Sequence, residues 1–334
     1  LKLIIDAMGG DHAPVEIIKG AVQVLNSEPK LELIFTGPEE VLKNELLKYT
    51  YDIERVEIVD ATEVITMDEH PVAAIKHKRN SSMVVGLELL KSKRGDAFIT
   101  AGSTGATLAG ALLRVGRIKG IQRPGLAPIL PNKNKGVVLI DCGANMDCKP
   151  VNLAQFAIMG SIYAEHILDV TAPRVGLASV GTEDEKGNEL SKASFQLIKE
   201  QNAVNFVGNI EGRDIFDKVD VVVADGFSGN LILKSVEGMG GYIFDSLKKA
   251  LTSSLLTKLG ALLMKSALYK MKKTLDYTTY GGAPLLGIDG IIIKAHGSTK
   301  AKALEYTIAQ AMRMVDADIV NVIRSNITAE ETTD

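Results

Sequence analysis

The sequence predicts an α/β fold: a doubly wound, Rossmann-like sheet of mainly parallel strands with helices on both faces. Three observations predict it. Short apolar runs alternate along the chain with segments whose apolar residues recur at spacings of three and four, as strands alternate with amphipathic helices. Some runs, such as Val137-Val138-Leu139-Ile140, are apolar at every position, which suits a strand covered on both faces. Most runs then end in Gly with Asp, Asn, Ser or Thr before a helix begins, which sets polar side chains along the carboxyl edge of the sheet, where ligands of open α/β sheets bind.

With 334 residues, 46% of them hydrophobic, the chain has enough apolar material for a large core and reads as a single α/β domain over residues 1–334. A net charge of -3 and the absence of Trp argue against nucleic acid as a partner. Cys142 and Cys148 make no disulfide framework, and no Cys or His cluster has zinc-ligand spacing, so no metal is expected and a reducing cytoplasm fits. The first residues read as a strand rather than a signal peptide, and no charge-free apolar run approaches the about 20 residues that span a bilayer.

Residues 1–5 form the first strand, which enters Asp6-Ala7-Met8-Gly9-Gly10-Asp11-His12-Ala13-Pro14 and then a helix over 15–25. Gly9 and Gly10 permit a tight turn close to a ligand, and the amides at the helix start favour an anion. Strands follow at 31–35 and 56–59, separated by a helix over 39–49. Pro71 suits the first turn of a helix, and Lys76 to Arg79 read as a solvated basic face. The strand at 96–99 opens into Thr100-Ala101-Gly102-Ser103-Thr104-Gly105-Ala106, whose hydroxyls either bind phosphate at the next helix start or cap that helix. The strand at 137–140 ends in Asp141-Cys142-Gly143-Ala144-Asn145; Cys142 has no base beside it in sequence and reads as a small buried residue.

The strand at 175–180 leads into the most polar loop of this half, Thr182 to Asn188, in which Lys186 stands among acids. Strands at 205–207 and 219–224 end in Gly208 to Asp214 and in Asp225-Gly226-Phe227-Ser228-Gly229-Asn230, and a long helix is expected over 231–251. Tyr280 to Gly287 is too rich in Gly for a regular element and reads as a constrained loop; the strand at 288–295 then closes on His296-Gly297-Ser298. One terminal helix is expected from 299 to about 325, with a frayed tail over 327–334.

Residues 251–273 depart from this grammar, with five lysines and no acid. A helical wheel sets Leu255, Leu256, Leu259, Leu262 and Leu263 on one arc, with Lys258, Lys265 and Lys272 near its edge. Residues 230–275 are therefore expected to form a protruding amphipathic helical hairpin for dimerisation or membrane contact. Contact through Leu255, Leu259, Leu262, Lys258 and Lys265 with an anionic membrane surface stands slightly ahead of packing on a partner subunit.

Taken in order, DAMGGDHAP, TAGSTGA, DCGAN, GTEDEKGNE, GNIEGRD, DGFSGN, YGGAPLLG and HGS closely resemble the bacterial acyl-ACP:phosphate acyltransferase (PlsX) family over nearly the whole chain. The resemblance implies conversion of acyl-ACP plus inorganic phosphate to acyl phosphate plus free acyl carrier protein, without a cofactor, feeding phospholipid synthesis. It also implies a homodimer, a cytoplasmic location with peripheral association at the inner face of the membrane, and a fold akin to isopropylmalate dehydrogenases and phosphotransacetylases. One departure is Ser103, where the family usually carries Asn.

On that resemblance Lys186 and Asn230 are nearest the chemistry, with His12 or His296 as a general acid. Gly9, Gly10, Ser103, Thr104, Gly105 and Ser298 belong to the phosphate loops. Asp6, Asn145, Asn188, Asp225, Ser228 and His296 are further substrate-side candidates, and Asp6, Asp141, Asn145 and Asp225 are read chiefly as orienting the loops. Phosphate can itself attack a thioester, so no protein nucleophile is required. The alternatives are a phosphotransacetylase acting on acyl-CoA, a non-catalytic membrane adaptor for the carrier protein, and an NAD-dependent dehydrogenase, which the lack of a GxGxxG fingerprint weakens.

Overall fold

Alternation along the strands decides the layering: in the first strand Leu3 and Ile5 enter one apolar cluster and Ile4 enters another, so each strand is covered on both faces by different helices. The computed structural model describes residues 1–275 and 277–331; the Lys272 side chain and residues 332–334, both part of the expectations above, lie outside the described residues.

The first half runs β1 (Lys2–Asp6), α1 (Val15–Ser27), β2 (Glu32–Gly37), α2 (Glu39–Leu46), β3 (Val56–Asp60), α3 (Pro71–His77), α4 (Ser82–Lys91) and β4 (Ala97–Thr100). Then come α5 (Thr104–Gly110), β5 (Gly125–Leu126), β6 (Ile129–Leu130), β7 (Val137–Ile140) and α6 (Pro150–Leu168). The second half continues with β8 (Val175–Ala178), α7 (Glu189–Lys199), β9 (Phe206–Ile210), β10 (Val221–Val223) and α8 (Gly226–Leu251). It closes with α9 (Leu255–Leu263), α10 (Lys265–Leu275), β11 (Ala283–Leu286), β12 (Ile291–Lys294), α11 (Ala301–Asp316) and α12 (Ile319–Glu331).

The strands form an α/β fold of two sheets rather than one. The first has the order β3-β2-β1-β4-β12-β11-β5 and the second β6-β7-β10-β8-β9. Pairing is parallel except at one end of each sheet, where β11 runs antiparallel to both β12 and β5 and β6 runs antiparallel to β7; β12 itself pairs parallel with β4. A single apolar cluster nevertheless contains strand residues of both sheets, among them Leu3, Ile293, Val138 and Val223, with Phe156 and Tyr163 of α6 between them.

Three expectations are corrected. Ala283–Leu286, read as a loop because of its glycines and Pro284, is a strand paired with β12 and β5. The single terminal helix is two, broken at Asp318, whose φ of +46° is a left-handed conformation that Asp tolerates better than most residues. The long helix after β10 begins at Gly226, so Ser228 and Asn230 stand in its first turns and not in the preceding loop.

Candidate active site

In the first sheet the chain order reverses between β1 and β4, a topological switch point. The loops after these strands pack onto each other there. Asp6 Oδ2 accepts the Thr100 hydroxyl at 2.7 Å, and the Gly102 amide donates to that same Thr100 oxygen at 3.0 Å. A side chain on Gly9 would lie 2.7 Å from both Asp6 Oδ2 and the Gly102 nitrogen, so glycine there is a requirement of the contact. Burial raises the Asp6 carboxyl from its ordinary value, against hydrogen bonds from Ser82, Thr100 and the Met8 and Gly9 amides. Gly10, at φ +96°, turns the chain so that the Asp11 amide reaches the Gly297 carbonyl at 2.8 Å, which brings the loop after β12 into the same cluster. His296 Nδ1 accepts the Ser298 amide at 3.3 Å and lies 2.9 Å from the Ser298 hydroxyl, so a neutral ring carries its proton on Nε2.

Ser103 is buried and caps α5, its hydroxyl accepting the Ala106 amide at 3.4 Å, a role for which Asn would be an equally good residue. Gly105 is fixed by packing, since a Cβ there would lie 2.7 Å from Pro71. Thr104 is exposed.

The second sheet contributes differently. Asp141 is fully buried and accepts four hydrogen bonds, from the Leu126 and Ala144 amides and from the Asn145 amide and side chain at 2.7 and 2.9 Å. The Asn145 Nδ2 also donates to the Pro124 carbonyl at 2.7 Å, so its donors are committed to holding the loop. Asp225 caps α8, accepting the Ser228 amide at 2.9 Å and its hydroxyl at 2.7 Å. Asn188 caps α7 by accepting the Ser191 amide at 2.9 Å. Gly226 and Gly229 let the first turn of α8 rest on the Asp141 to Asn145 loop: a Cβ on either would overlap a carbonyl oxygen, of Asn145 and Asp141 respectively.

That first turn separates two cavities. One, of about 160 Å³, collects Thr104, Asn230, Lys234, Lys294 and His296 above Cys142. The other, of about 380 Å³, lies beside α7 and is mostly apolar, lined by Leu153, Leu177, Leu190, Ile210 and Leu231 with Asn188, Asp225 and Ser228 at its polar side. The expected common rim is thus two groups of loops sharing α8. Asn230 is half-buried and its amide has no hydrogen-bond partner among the described residues; it also lies 3.6 Å from where a Cβ on Gly143 would stand. Lys186 is exposed on the loop that leads to Gly187 and Asn188 at the larger cavity, with no ion pair among the described residues. His12 is half-buried in the first loop.

Neither cysteine is poised as a nucleophile: burial pushes the Cys142 thiol well above its ordinary value and Cys148 up to about 11. Among the described residues no group of His, Cys, Asp and Glu is arranged to hold a metal ion. The donors that line the smaller cavity, the Thr104 hydroxyl, the Asn230 amide and the Lys294 ammonium, are groups that can bind an anion and polarise a carbonyl. Lys294 is the functional candidate that the strand pattern left unremarked. Its signal is a lone charge closing the apolar run Ile291-Ile292-Ile293.

The fatty acid synthesis protein family matches residues 1–322. The chain is 50% identical over 328 residues to a phosphate acyltransferase of Clostridium novyi (strain NT), covering 98% of each. It is 52% identical to one of Thermoanaerobacter pseudethanolicus (strain ATCC 33223 / 39E), over 98% of this chain and 97% of the other. In fold it is similar to a phosphotransacetylase from Streptococcus pyogenes, at TM-score 0.61 and 20% identity over 96% of this chain and 94% of the other. EutD phosphotransacetylase from Staphylococcus aureus also scores 0.61, at 16% identity over 95% and 94%.

Proposed function

Because this chain belongs to the fatty acid synthesis protein family and matches phosphate acyltransferases over nearly their whole length, we propose that it moves a fatty acyl group from acyl carrier protein to inorganic phosphate. Acyl transfer is the activity the relatives' name states, and the eight loop sequences support the carrier protein as donor.

The observation that carries the reading is the smaller cavity, where the Asn230 amide, without a hydrogen-bond partner among the described residues, the Thr104 hydroxyl and His296 meet beside the Cys142 thiol, which burial keeps protonated. Such a site suits direct attack. A phosphate oxygen bonds to the thioester carbonyl carbon, the C–S bond breaks, and the pantetheine thiolate leaves and takes up a proton. A thiol of pKa about 8.5 is a good leaving group near neutrality, so a general acid adds less than it would for an alcohol. The protein's work is then to hold a dianion against the acyl carbon and to stabilise the oxyanion. Asn230 donates to the oxyanion, Lys186 supplies a cation from the exposed loop at the larger cavity, and His12 or His296 returns the proton. The larger cavity, at about 380 Å³ within the roughly 300 to 1,000 Å³ usual for small-molecule sites, accepts the apolar acyl chain.

The exposed apolar face of α8 and α9 supports a homodimer and an anionic membrane surface as partners: Met239, Tyr242 and Ile243 on α8, then Leu255 and Leu256 at 85% and 84% exposure. No helix among the described residues is long and apolar enough to cross a membrane, so attachment would be peripheral, at the inner face from the cytoplasm. The test of the donor is release of free carrier protein from acyl-ACP on addition of inorganic phosphate, run beside acyl-CoA. Faster turnover of acyl-ACP is expected; equal or faster use of acyl-CoA would make the chain a phosphotransacetylase.

A further inference from the structure

Lys294 ends β12 at 8% exposure and lines the smaller cavity with Asn230, Thr104 and His296. Its ammonium donates to the backbone carbonyls of Ala295 and, at 3.4 Å, Ala101, and no carboxylate among the described residues comes within ion-pair distance. A buried cation without a counter-ion is costly, and such groups are normally paired, neutralised or waiting for a ligand. The neighbouring cation Lys234 is different, since Glu237 holds it at 2.7 Å. Around Lys294, Asp6 and Asp11 from the loop after β1 favour its charge and Lys234 from α8 opposes it, while Glu237 of α8, Tyr280 before β11 and His296 on the following loop line the same cavity. Burial outweighs the two aspartates and brings the ammonium down to about 8, so the group is charged at neutral pH yet weakly compensated.

We propose that the Lys294 ammonium is the fixed cation that binds the attacking phosphate, with the Thr104 hydroxyl closing around the same anion and the Asn230 amide beside it for the acyl oxygen. This rests on the reading of the chain as a phosphate-consuming acyltransferase. Phosphate supplies the missing counter-charge inside the cavity, and the rigid strand end fixes it where the acyl carbon must arrive. Lys186, exposed on its loop, is left to meet the charge that develops on the thioester oxygen.

The test is phosphate binding and turnover by the wild type, Lys294→Met and Lys294→Gln. Each variant is expected to raise the KM for phosphate by about 10- to 100-fold, as loss of a hydrogen bond to a charged group does, while the KM for acyl-ACP stays within about twofold. In the wild type, kcat/KM for phosphate is expected to fall as pH rises through about 8, and this fall is absent in both variants. Calorimetry with inorganic phosphate alone, at pH 7 and pH 9.5 on the wild type, reads the same anchor without catalysis and without a variant. Unchanged phosphate KM in a folded variant, or wild-type phosphate affinity that does not weaken at pH 9.5, overturns the inference. Wild-type protein that binds phosphate through Lys294 but releases no carrier protein from acyl-ACP overturns the functional reading instead.

Discussion

Asn230 and Lys294 differ in what each surrenders to the fold, and that difference decides what their removal does. The Asn230 amide makes no hydrogen bond among the described residues, so Asn230→Ala should leave the denaturation midpoint nearly unchanged while lowering kcat by about 10²- to 10³-fold, the usual effect of losing one oxyanion donor. Lys294 should show itself in stability. Between pH 8 and its unfolded value of 10.5 the unfolded chain holds more protons at this site than the folded chain, so the contribution to stability rises with pH. Over that window the gain is about 3 kcal/mol at most, and Lys294→Met should abolish it; urea unfolding of both proteins at pH 8 and pH 10 measures the difference. The polar strand ends, including Asp6, Asn145 and Asp225, were legible in the sequence as a group. That they orient the loops was legible too; which backbone groups Asn145 and Asp225 satisfy was not, because only the tertiary fold determines those positions.

The element that organises the site is the first turn of α8. It has Gly226 and Gly229 where the helix meets the loop after β7, and it presents Asn230 to one cavity and Leu231 to the other. Gly229→Ala would drive a methyl group into the Asp141 carbonyl, so we expect a loss of about 1 to 3 kcal/mol in chemical denaturation, as overpacking usually costs, together with reduced turnover as Asn230 is displaced. Leu255, Leu259 and Leu262 are exposed on α9 beside Lys258. Replacing these three leucines by Gln should abolish sedimentation with anionic vesicles, since each fully buried Leu is worth roughly 1.5 to 3 kcal/mol; binding that survives would assign the face to a second subunit. The helix Leu255–Leu263 was legible from its lysines and leucines alone. β11 was not, because Gly281, Gly282 and Pro284 mark a turn locally, and only pairing with β12 and β5 makes that stretch a strand.

At the scale of the molecule, alternation of strand and helix announced the α/β class, and the order of the eight loops announced the family. The split into two sheets was hidden because β5 and β6 are two residues each, too short to register as periodic segments, and both are antiparallel edges. That split gives the site its form, with one cavity suited to an anion, one to an apolar chain, and α8 between them. Neither thiol is available as a nucleophile, and on the proposed direct attack by phosphate no acyl-enzyme should form. The most direct measurement is mass spectrometry of the protein incubated with acyl-ACP, first without phosphate and then with it. The expected result is unmodified protein throughout, with free carrier protein and acyl phosphate produced together only after phosphate is added. A protein whose mass increases by one acyl group before phosphate arrives, with carrier protein released at that stage, would contradict direct attack.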